Sequence, residues 1–122
     1  MANKAFSLFK DLCQQSPANY ASFLKLDDNF IISSSPELFL KNQGKNIYSK
    51  PIKGTSPRDK DPKQDKINKS YLKNSDKEKA ENLMIVDLVR NDLARVCEAS
   101  SIKVKKLFAI STYKKLFHMS SE

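Results

Sequence analysis

Arginine is scarce in this chain. Of 22 Lys and Arg residues only Arg58, Arg90 and Arg95 are arginine, so the net charge of +8 rests on lysine. Specific readers of guanine and phosphate usually recruit planar arginine forks, so the basic excess points first to a solvated surface. Cysteine is scarce too, and Cys13 and Cys97 show no paired spacing and no companion histidines. That excludes a disulfide scaffold or a cysteine-based zinc site and leaves two small apolar side chains in a reducing compartment. Histidine occurs once, at His118. No charged start followed by an apolar run is present, and no stretch approaches the ~20 apolar residues of a membrane span. The expectation is a soluble cytoplasmic protein without a membrane partner. Hydrophobic residues make up 39% of the 122 and charged residues 30%, enough for one modest domain with a thin core.

What is present falls into two halves. Residues 3–15 place Ala5, Phe6, Leu8, Phe9, Leu12 and Cys13 at helical spacing, and Ser16-Pro17 stops that helix. YASFLKL, a turn at Asp27-Asp28-Asn29, and FIISS read as two strands. LFLKNQ, Gly44 and KNIYSKPI repeat the pattern as strand, turn and strand. From Thr55 to Asn74 the chain turns polar and predicts a mobile loop, then a short helix from about Pro62, together a lid or crossover. Ser75 and Glu78 fit a capping box, opening a helix through AENLMIVDLVRNDLARV with no Gly or Pro. Its apolar residues surround most of the wheel, which predicts a buried helix. SSIKVKKLFAI and TYKKLFHMS read as two further strands. The fold class expected is α+β, with antiparallel sheet and outer helices.

Several polar residues within this frame are candidates for chemistry. Glu81 shares a helical face with Ile85, Leu88 and Asp92. Its carboxylate suits a plain ion pair with a neighbouring lysine or arginine, or a hard cation such as Mg²⁺. Asp87, Arg90, Asn91 and Arg95, three to four residues apart, predict an internal ion network tying the helix to adjacent strands. Strand alternation puts His118 on the face opposite Phe117 and Met119, where it is either structural or reactive. Glu37 follows Ser35-Pro36 at a strand end, as a cap or in a protected corner. Lys53 sits at the C-terminal end of a strand with Gly54 directly after it. A lysine in that position becomes a nucleophile if burial or a neighbouring cation drives it neutral.

Taken together, SPELFL at 35–40, PIKGTSPR at 51–58, KEKAENLMIVDLVRNDLARVC at 77–97, VKKL at 104–107 and FHMS at 117–120 resemble the chorismate-utilising enzymes, in particular component I of aminodeoxychorismate (para-aminobenzoate) synthase. The lysine of PIKGT discriminates within that family, since anthranilate synthase component I typically carries alanine there. The resemblance implies that Lys53 attacks C2 of chorismate as the C4 hydroxyl leaves, and that ammonia then adds at C4 and expels the lysine. It implies that Glu37 is general acid and base and that Glu81 binds Mg²⁺, which holds the ring carboxylate of chorismate. Thr55 and Gly54 line the substrate, and His118 stands beside the ring for orientation or proton transfer. A glutamine amidotransferase subunit is the implied ammonia source and folate synthesis the implied purpose. The implied fold is two layers of large antiparallel sheet with helices outside.

The resemblance covers residues 1–122 as the N-terminal part of a chorismate-binding catalytic domain. The family's C-terminal half, with the second metal carboxylate and a glycine-rich substrate loop, is not in the sequence. Little catalysis is therefore expected from these residues alone. Two other readings compete. One is an anthranilate synthase component I-like or other chorismate enzyme. The other is a non-catalytic basic module that binds nucleic acid through residues 41–79; the scarcity of arginine argues against it.

Overall fold

The computed structural model describes residues 2–122, which separate into two compact units meeting in sequence at Leu38 and Phe39. The first contains helix α1 (Ala2–Gln15) and strands β1 (Tyr20–Leu26) and β2 (Asn29–Ser35). β1 and β2 pair antiparallel from Tyr20↔Ser35 to Leu26↔Asn29. Asp27, at φ 50°, supplies the left-handed residue that the tight turn requires. Phe23 is the centre of this unit's packing, with ring centroids 5.4 Å from Phe6, 5.8 Å from Phe9 and 5.7 Å from Phe30. The helical spacing of Phe6 and Phe9 thus does what it predicts, pressing one face of α1 onto the hairpin.

The second unit opens with a hairpin of β3 (Leu38–Gln43) and β4 (Asn46–Lys50) that turns at Gly44, φ 64°. Then follow β5 (Ile52–Pro57), α2 (Pro62–Asn74), α3 (Asp76–Ala94), β6 (Ala109–Thr112) and β7 (Leu116–Ser120). β5, β7 and β6 form an antiparallel sheet in that order. Its core is Leu72 of α2 with Phe117 and Met119 of β7, and Phe108 and Ile110 pack alongside. Ser75 ends α2 and caps α3: its backbone is extended and its Oγ accepts the Glu78 N–H at 3.3 Å, the first half of the expected capping box.

Four expectations change. KNIYSKPI is not one strand: Pro51, which has no N–H to give a ladder, separates β4 from β5. Lys53 therefore lies near the start of β5, not at the C-terminal end of the strand before it. The expected mobile loop is four residues, 58–61, and it is pinned. Asp61 caps α2 by accepting from Lys63 N–H, Asp59 accepts from Asp61 N–H at 2.8 Å, and Asn68 donates to the Pro57 carbonyl at 3.1 Å. Residues 101–106 alternate like a strand but find no ladder. Their link to the sheet is at Glu122, whose carbonyl accepts from Lys105 N–H at 2.6 Å. Finally, α3 is not buried all round. Asn82 and Val86 are buried, while Leu83, Met84 and Leu88 are 42%, 64% and 56% exposed. A helix buried on every side needs neighbours on every side, and within this unit β5 and β7 cover one.

Candidate active site

β5 and β7 bring most of the candidate residues together. Ile52 pairs with Ser120 and Thr55 with His118, so Lys53 and Gly54 stand opposite Met119 alone, an irregularity that interrupts the ladder at the lysine. Gly54 makes that irregularity possible with φ 96°, a conformation L residues rarely adopt. Lys53 is exposed, so its amine is open to solvent. One register step on, Thr55 Oγ1 and His118 Nδ1 share a hydrogen bond of 3.0 Å, and the Tyr113 ring meets the imidazole edge-on at 5.3 Å between centroids. The imidazole is thereby held by a hydroxyl and an aromatic ring. It lies on the face opposite buried Phe117 and Met119, as the alternation predicts.

Below this surface is a buried polar group that the sequence reading does not single out. Asn82 of α3 is fully buried. Its Nδ2 donates to the carbonyl of Lys53 at 3.3 Å and to that of Met119 at 3.4 Å. Its Oδ1 accepts the Ser121 hydroxyl at 2.5 Å, and Ser121 Oγ in turn accepts the Phe108 N–H at 3.1 Å. A buried carboxamide left unpaired costs several kcal/mol, as an order of magnitude, so complete pairing explains how Asn survives there. Periodicity alone does not single it out, because apolar residues surround most of the α3 wheel and do not choose the face that meets the sheet.

Glu81, the residue before it on α3, is exposed, and its nearest cation is Lys77 at 4.0 Å, a weak i,i+4 pair. Both readings of this carboxylate thus stand. Among the described residues no three His, Cys, Asp or Glu side chains gather to hold a metal. Glu81 is a single hard-oxygen ligand, which fits Mg²⁺ only in its habit of taking one or two protein carboxylates and completing its shell with water and substrate. Glu37 belongs to the first unit, exposed just after β2, with its backbone N–H bonded to Ser35 Oγ at 3.2 Å. The expected internal ion network is not formed. Asp87 and Arg90 pair at 3.5 Å on the open surface of α3, both side chains more than half exposed.

Ionisation is clearly displaced at the Arg58–Asp65 pair, beside the sheet. Arg58 donates from Nε to Asp65 Oδ1 at 2.8 Å and from Nη1 to the Tyr113 carbonyl at 3.0 Å, and lies 4.9 Å over the Phe117 ring. That hydrogen bond, then the Asp59 N–H, holds the Asp65 carboxyl below the usual carboxylate range, and the same bond raises Arg58. The pair ties the Tyr113 loop, and so the strand carrying His118, to α2.

Comparison with known proteins finds relatives along most of the chain. The chain is 42% identical to aminodeoxychorismate synthase component 1 of Klebsiella aerogenes over 93% of its length, and 39% identical to anthranilate synthase component 1 of Saccharolobus solfataricus over 94%. It spans about a quarter of those relatives, 25% and 27% respectively. The crystal structure of a Bacillus anthracis protein assigned as the 2,3-dihydroxybenzoate-specific isochorismate synthase DhbC superposes with a TM-score of 0.70 at 28% identity, covering 83% of this chain and 28% of that one. The family model of chorismate binding enzymes matches residues 1–122. The chain belongs to the chorismate binding enzyme family.

Proposed function

We propose that the polypeptide carrying residues 1–122 aminates chorismate to 4-amino-4-deoxychorismate, with Lys53 as nucleophile. The supporting observation is the juxtaposition at β5 and β7: an exposed lysine at an interrupted ladder, directly before the Thr55–His118 pair, its carbonyl held by the residue next to Glu81. The relatives named aminodeoxychorismate synthase component 1 support the same reading. The neutral Lys53 amine adds to C2 of chorismate, the ring double bonds shift, and the C4 hydroxyl leaves as water with a proton from Glu37. Ammonia then adds at C4, the double bonds shift back, and Lys53 departs as the amine while Glu37 takes up the proton. One difficult substitution becomes two easier ones. Thr55 and His118 orient the ring, and Gly54 allows it close to the backbone. Glu81 would hold Mg²⁺, which when bound supplies positive charge to the ring carboxylate.

The name "component 1" supports a second subunit, and we assign it as a glutamine amidotransferase delivering ammonia. The product feeds para-aminobenzoate and folate synthesis in the cytoplasm. The test is Lys53→Ala in the natural full-length polypeptide, with chorismate, ammonium and Mg²⁺. Formation of the aminated product should fall by at least about tenfold. In the parent protein, withholding ammonia should leave a chorismate-derived adduct on Lys53, read by peptide mass spectrometry. An unchanged rate after the substitution overturns the proposal, and anthranilate as the parent's product supports the relationship to anthranilate synthase instead.

A further inference from the structure

The buried carboxamide of Asn82 stands at the one place where the β5–β7 ladder is broken. Opposite that break are the carbonyls of Lys53 and Met119, the residues bearing the proposed nucleophile and adjoining His118. The register shifts at this position, and one NH₂ group spans it, at 3.3 and 3.4 Å. Asn82 cannot turn to present its oxygen to these carbonyls, because Oδ1 is engaged by Ser121, itself fixed by the Phe108 N–H. Glu81 is its immediate neighbour on α3. A single side chain therefore sets three proposed site residues relative to one another.

We infer that Asn82, oriented by Ser121, is a positioning residue for amination: it holds the backbone at Lys53 against the backbone beside His118 and so fixes where the Lys53 amine stands. This rests on the functional reading above. Partners that orient a reactive group from behind typically matter by 10- to 100-fold, and a misplacement on the ångström scale is enough to produce that.

The test uses the natural full-length polypeptide with Asn82→Ala, Asn82→Asp and Ser121→Ala. Asn82→Asp keeps the size and the acceptor for Ser121 but removes both donated bonds. Ser121→Ala leaves Asn82 in place without the bond that orients it. Both Asn82 variants should lower kcat about 10- to 100-fold while the KM for chorismate stays within about threefold. Ser121→Ala should move kcat the same way by less. Acetylation by acetic anhydride, followed by peptide mass spectrometry, gives a second readout: the rate at Lys53 should change while that at Lys50 does not. A purely structural role would lower the folded fraction and leave both readouts of the folded protein unchanged. Unchanged kcat and unchanged Lys53 acetylation in folded Ser121→Ala or Asn82→Asp overturn the inference. If the parent protein makes no aminated product, the functional reading alone fails, and the acetylation arm still decides the positioning.

Discussion

Gly54 has almost no room beside it. A methyl group placed there would lie 3.0 Å from Glu78 Oε2, 3.2 Å from Leu72 Cδ1 and 3.2 Å from Met119 Cβ. The Glu78 carboxylate can swing away, but Leu72 and Met119 are fully buried and must be displaced within a packed core. The backbone adds a second cost, since φ is 96°. Gly54→Ala should therefore destabilise the protein by about 1–3 kcal/mol from backbone strain alone, with the contacts adding to it. A shift of the urea midpoint at unchanged m-value checks this. Because the strain falls beside Lys53, amination should drop more steeply than stability. The sequence singles out Lys53, Gly54, Thr55, Glu81 and His118 as candidates because their motifs are contiguous, and their elements β5, α3 and β7 follow from local pattern. Asn82 is not, because its role depends on which face of α3 meets the sheet. An apolar pattern spread around most of the wheel does not choose a face.

Between residue and fold, the turn from β5 into α2 is held by charge-assisted bonds. Asp65 Oδ1 accepts from Arg58 Nε and from Asp59 N–H, at 2.8 and 2.9 Å. The Arg58 bond is the larger cause of the lowered Asp65 value. The linkage follows from that direction. In the unfolded chain Asp65 takes up its proton near pH 4, whereas in the folded protein it does so only at lower pH. The stabilisation is thus complete above the unfolded value and is lost as pH falls through the folded one. Urea midpoints measured from pH 6 down to pH 2 should fall less steeply for Asp65→Asn than for the parent, and the two proteins should converge at the acid end. Parallel curves would remove Asp65 from the acid response. This turn also shows why a polar, proline-containing stretch misleads. Composition alone suggests mobility, while the Asp61 cap, the Asp59 turn and the Asn68 bond to Pro57 make it one of the most cross-linked segments. The helices and hairpins, by contrast, follow from periodicity and turn residues that act locally.

At the scale of the whole molecule, the proposed nucleophile Lys53 stands exposed on the β5–β7 surface. Leu72, Val86, Phe117 and Met119 are the buried hydrophobic side chains, whereas Phe39, Tyr71, Met84 and Val96 are 80%, 68%, 64% and 75% exposed. Two shallow depressions, one lined by Ile67, Ser70, Tyr71, Asn74 and Ser75 and the other by residues of α3 and the segment after it, contain none of the candidate residues. A small acidic ligand is ordinarily held by burying most of its surface, and a divalent cation site here would start from one carboxylate. Residues 1–122 on their own should therefore form no detectable aminodeoxychorismate from chorismate, ammonium and Mg²⁺, and should bind chorismate weakly or not at all by calorimetry. The exposed apolar side chains of α3 give the same preparation a second signature: strong enhancement of a hydrophobic dye such as ANS despite a helical far-UV spectrum. Replacing Leu83, Met84 and Leu88 together by polar residues should reduce the dye signal and leave the spectrum intact, because all three are exposed on α3. Turnover by these residues alone would mean that the β5–β7 surface binds and activates chorismate without enclosing it.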